Sequence, residues 1–121
     1  MISLAQANPM LANLGALLTI ALGLFGALAP ARAAGFVSIQ PLGGAGLSEV
    51  RATYGGLFIA MGAACLVLQS PTAFLLAGVA WCGAGLMRFP SLLLDKGSFP
   101  KGLGGAAIEL AIGMLLLSGA I

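Results

Sequence analysis

Two stretches without a single charged side chain constrain this 121-residue chain most: Met1 to Ala31, 31 residues, and Ala52 to Met87, 36 residues. A bilayer core takes about 20 apolar helical residues per crossing, so the second stretch is long enough for two. Charged residues make up 7% of the chain and hydrophobic residues 60%, against roughly a quarter charged in soluble domains. The sequence therefore predicts an integral membrane protein. Lipid offers the backbone no hydrogen-bond partners, so helices are the expected form of its apolar segments.

Punctuation residues divide the chain into four crossings. Asn8-Pro9 is a cap-plus-proline start, and the first helix is expected over residues 9–29, ending before Pro30. The second is expected over 49–69, capped by Ser48. Ser70-Pro71 repeats the start signal for a third over 71–89, which Pro90 should end. The fourth is expected over 104–120. Together they predict an all-α fold, one domain spanning 1–121 as an antiparallel bundle of four transmembrane helices. Leu11 to Leu28 followed by Ala31-Arg32-Ala33 also resembles a secretory signal. No basic residue precedes that apolar run and it is longer than a cleavable core, so a retained helix is the expectation. Pro30 and Pro90, Gly44 and Gly104, and Glu49 and Glu109 stand 60 residues apart, a faint echo of a duplicated hairpin that an Ala-, Leu- and Gly-rich chain also produces by accident.

All five basic residues, Arg32, Arg51, Arg88, Lys96 and Lys101, lie in or beside the loops 30–47 and 90–104. The positive-inside rule places those loops in the cytoplasm and both termini in the periplasm of a bacterial inner membrane.

Composition excludes several functions. A net charge of +2 without a clustered basic face is no nucleic-acid footprint. With no histidine, imidazole-ligated metals and cofactors and Ser-His catalysis are absent, and no metal, cofactor or catalytic residue is expected. Cys65 and Cys82 fall at depths differing by roughly 10 Å, too far apart for a disulfide. Gly43-Gly44-Ala45-Gly46 lacks the Lys-Ser/Thr of a phosphate loop and is expected as a flexible linker. Leu92 to Gly97 is expected as an interfacial turn dipping leucines into the membrane.

Nineteen glycines would burden soluble helices but let membrane helices approach closely. The small faces of the second helix (Gly55, Gly62) and third (Gly78, Gly85) suit packing within the bundle, or the reception of partner helices.

Ionisable groups within membrane segments are expensive and are candidate functional residues. Here they are Glu49, Arg51, Arg88 and Glu109, with Tyr54 nearby. Glu109 falls on the order of 12 Å inside the hydrocarbon, where Arg88 on the neighbouring helix can meet it as a bidentate pair. Arg51 shares a helical stripe with Tyr54, Gly55 and Phe58, and Glu49 shares another with Thr53, Gly56 and Ala60. The charges either staple the cytoplasmic end of the bundle or form a head-group pocket with Arg51 and Arg88 as donors and Tyr54 at the rim. Trp81, near mid-helix, is expected inside the bundle or at a partner contact.

The run Glu49-Val50-Arg51-Ala52-Thr53-Tyr54-Gly55-Gly56-Leu57, with Arg88 and Glu109 beyond it, resembles small bacterial four-helix membrane proteins catalogued as domain of unknown function four-three-four-five. The resemblance spans nearly the whole chain and implies a four-helix inner-membrane protein with those polar residues as family features; it implies no activity.

The functional expectation is a non-catalytic accessory subunit packing against a larger membrane complex of respiratory or photosynthetic type, or a homo-oligomer. The alternative is a protein that binds a lipid or quinone head group at the charged cluster. A small transporter ranks third, because the first helix carries only Asn13 and Thr19 as polar groups and no acid.

Overall fold

The computed structural model describes residues 9–120, all helix, turn and loop with no strand among the described residues. Helix α1 spans Met10–Leu28, α2 Pro30–Phe36, α3 Gly43–Leu68, α4 Pro71–Leu94 and α5 Lys101–Leu117. Three of them, α1, α3 and α4, are long and apolar enough to cross a membrane. The proposed cap Asn8 lies outside the described residues.

Ser70 caps α4 as its sequence suggests: its hydroxyl accepts from the Ala73 amide at 3.3 Å, with Pro71 at the first helical position. Other boundaries differ from expectation. Pro30 ends α1 but opens α2, since a missing N–H is harmless in a first turn. Pro90 does not end α4, which continues to Leu94. A proline there removes one hydrogen bond, and the turn beyond it is still closed by the Asp95 amide on the Ser91 carbonyl at 2.8 Å. Leu92 to Leu94 are therefore the last helical turn, and the chain reverses only after Asp95, through Gly97 at φ 88°. Gly43 to Gly46 is helix rather than linker, its Gly46 amide bonded to the Leu42 carbonyl at 3.0 Å. Helix α5 starts at Lys101, three residues earlier than expected.

The chain forms two compact units. One comprises Ala16–Val67. In it α1 and α3 run antiparallel and touch backbone to backbone: Gly62 lies against Ala16 and Ile20, Gly23 against Ile59 and the Gly55 carbonyl, and Gly26 against the Tyr54 carbonyl. Between Ala52 and Gly56 helix α3 opens into a π-helical turn, the Leu57 amide bonding back to the Ala52 carbonyl. The widened turn is where the carbonyls of Tyr54 and Gly55 meet the glycines of α1. Below it, Ala33, Ala34 and Val50 are buried beside Phe25 and Tyr54, and Phe25 meets Phe36 edge-on at 6.1 Å.

The other unit comprises the chain up to Gly15 and from Leu68 onward. Helices α4 and α5 form its antiparallel hairpin. The buried residues Phe74, Ala77, Gly78, Trp81 and Gly85 recur at helical spacing along α4. Gly78 faces Gly113 and Leu117, and Gly85 faces Leu110. The start of α1 joins this unit, Ala12 against Gly119 and Gly15 against Leu116, while the Gln69 amide nitrogen donates to Asn13 Oδ1 at 2.7 Å.

Candidate functional site

In the α4–α5 unit the buried stripe of α4 ends one turn past Gly85, at Arg88. Its guanidinium forks onto Glu109 of α5, Nε to Oε1 at 2.8 Å and Nη2 to Oε2 at 2.9 Å. The two side chains are 37% and 16% exposed, so the pair is shielded but open at the arginine. Gly105, one helical turn before Glu109, makes the geometry possible: a Cβ there would lie 2.8 Å from Arg88 Cζ. The guanidinium therefore lies over bare backbone. In the sequence Gly105 stands out only as one of the small packing residues of the fourth helix; its i, i+4 spacing to Glu109 is the signal that ties it to the pair.

In the Ala16–Val67 unit the charges behave differently. Arg51 donates through Nη1 to the carbonyl of Ala27. That carbonyl belongs to the last turn of α1, where a helix runs out of its own N–H donors and a cation is favoured. Arg51 thus serves as a C-terminal cap supplied in trans by another helix. Glu49, two residues earlier, turns elsewhere. With Thr53 and Tyr54 it lines an open cleft of about 550 Å³, whose other walls include Pro41, Leu42 and the buried Val50. The Glu49 carboxylate makes no hydrogen bond or ion pair among the described residues. Tyr54 is half-buried, its ring edge-on to Phe58 at 6.1 Å. The loop wall of this cleft was invisible in the sequence, because Gly46 tucks against Pro41 only once residues 43–46 are helical: a Cβ on Gly46 would lie 2.9 Å from the Pro41 carbonyl carbon.

Of the five polar residues singled out, the structure joins Arg88 to Glu109, and places Glu49 and Tyr54 on one cleft. Arg51 is engaged by backbone. Trp81 is 6% exposed, which puts it in the interior rather than on a surface for a partner. Cys65 and Cys82 are both free thiols. Among the described residues no three acidic or cysteine side chains gather as a metal site. No family model, curated protein or solved structure matches the chain.

Proposed function

We propose that this chain is a four-helix protein of the bacterial inner membrane that serves, without catalytic activity, as an accessory subunit of a larger membrane complex. In this reading α5 is the fourth crossing: its 17 residues make about 25 Å of helix, at the short end of what spans a bilayer. The connections from α1 to α3 and from α4 to α5 face the cytoplasm and both termini the periplasm. Kinship with the four-helix family rests on the Glu49 to Leu57 run, Arg88 and Glu109.

The observation that carries the proposal is on the outer side of α4. Ala80, Gly83 and Ala84 are exposed there, between exposed Leu76 and Met87, and a Cβ on Gly83 would meet nothing within 4 Å. Small residues spaced three and four apart let a second helix approach closely in lipid, and within the α4–α5 unit no described helix covers them. The bidentate pair argues in the same direction. Both Glu109 oxygens are held by Arg88, so the one internal carboxylate of the α4–α5 hairpin is committed to structure.

Extraction from native membranes in mild detergent, followed by native-gel separation and mass spectrometry, tests this. Migration within a complex of fixed composition is expected, and Gly83→Ile should release the chain from it. Migration of the wild-type chain alone would refute the subunit role.

A further inference from the structure

We propose that the cleft lined by Glu49, Thr53 and Tyr54 binds a membrane lipid whose head group ends in a primary ammonium, of the ethanolamine type. The inference goes beyond the accessory role; it uses the membrane placement and needs no partner subunit.

Three observations lead to it. The first is depth. Glu49 stands nineteen residues before Leu68, the end of α3. That is roughly 29 Å of helix, about the thickness of the hydrocarbon core, so the carboxylate lies at the level where head groups begin. The second is shape. About 550 Å³ falls within the ~300–1,000 Å³ typical of small-molecule sites, and Pro41, Leu42 and Val50 give it apolar walls beside the carboxylate. The third is charge. A carboxylate is acceptor-only, and Glu49 has no donor among the described residues. The nearest basic residue in sequence, Arg51, is turned to the Ala27 carbonyl.

An ammonium with three N–H groups complements this wall: it can donate to Glu49 and to the Thr53 hydroxyl while the Tyr54 ring offers its face or its phenol oxygen. A trimethylammonium cannot donate, and a glycerol head group carries no positive charge. The sign is opposite to that of an arginine-lined pocket. The π-helical turn from Ala52 to Gly56 carries Thr53 and Tyr54, and such turns recur at functional sites.

The test is lipid competition on the full chain. The purified protein is equilibrated with equal amounts of phosphatidylethanolamine, phosphatidylcholine and phosphatidylglycerol, and retained lipid is counted by native mass spectrometry. Phosphatidylethanolamine is expected to be retained at least fivefold over either competitor. Glu49→Gln should abolish that preference, and Glu49→Lys should transfer it to phosphatidylglycerol. Both substitutions sit at an exposed position without a partner, so folding is unaffected. Ala45→Phe, which fills the cleft, should reduce all retention to background. Equal retention of the three lipids, preference for phosphatidylglycerol by the wild-type chain, or a preference that survives Glu49→Gln would each overturn the proposal. A chain that migrates alone yet keeps the preference would remove the subunit role and leave this site standing.

Discussion

Arg88 and Glu109 meet fork to fork across the α4–α5 hairpin, two parallel hydrogen bonds of 2.8 and 2.9 Å, with the guanidinium laid over Gly105. Removing one partner of a shielded pair leaves the other charge uncompensated, whereas replacing both by apolar groups is often neutral or stabilising. Arg88→Ala is therefore expected to destabilise by about 2–4 kcal/mol, toward the lower side because the arginine is partly exposed. The double change Arg88→Met with Glu109→Leu should recover most of that loss. Reversible unfolding in mixed micelles measures both, and equal losses in the single and double variants would show that the pair is not the cause.

Gly113 and Gly83 lie on neighbouring helices and should respond oppositely to a methyl group. A Cβ on Gly113 would lie 3.0 Å from both the Gly78 carbonyl oxygen and the Cys82 amide nitrogen, which are backbone and cannot swing aside. Gly113→Ala is expected to cost about 1–3 kcal/mol by forcing α4 and α5 apart. At Gly83 the same methyl meets nothing, and the helix gains about 0.5–1 kcal/mol from the lost glycine freedom. Thermal denaturation of the two variants in one detergent should move the midpoint in opposite directions. A shared direction would mean that helix propensity, not packing, sets the outcome.

What was legible in the sequence followed from charge and depth. An arginine late in one apolar helix and a lone acid in the next have few partners but each other, and their pair is present. Ser70 and Pro71 announced a helix start that lipid and water read alike. The punctuation failed near helix ends. Pro90 costs α4 one hydrogen bond four residues from its end, and Gly43 to Gly46 form only the first turn of α3, so neither is enough to stop a helix. The π-helical turn was not legible at all. It coincides with the approach of Gly23 and Gly26 to the carbonyls of Tyr54 and Gly55, a property of two helices together and not of either sequence alone. The cleft depends on that same tertiary arrangement, so Glu49 was visible as a candidate while its surroundings were not.

Arg51 caps a helix to which it does not belong, and its removal should be felt there. Arg51→Leu leaves the Ala27 carbonyl without its donor near the end of α1. The expected loss is about 1–2 kcal/mol, toward and below the low end for a hydrogen bond to a charged group because the contact is exposed. Amide exchange should quicken in the last turn of α1 and in α2, while α4 and α5 keep their protection. Arg51→Lys retains charge but not the planar fork, and an intermediate effect is expected. Uniform loss of protection across both units would contradict a local cap.

The proposed orientation, with the basic residues toward the cytoplasm, can be read by thiol labelling. With Cys65 and Cys82 replaced by alanine, single cysteines are placed at Ser38, Ser98 and Thr72. Ser38 lies between α2 and α3, Ser98 between α4 and α5, and Thr72 in the first turn of α4. An impermeant maleimide added to intact spheroplasts should label Thr72→Cys at once, and Ser38→Cys and Ser98→Cys only after lysis. The reversed pattern would put the basic loops outside and overturn the orientation. Labelling of Ser38→Cys and Ser98→Cys from different sides would instead mean that an odd number of crossings separates them. Since α3 and α4 both lie between those positions, that result would remove one of the two from the bilayer and with it the four-crossing arrangement.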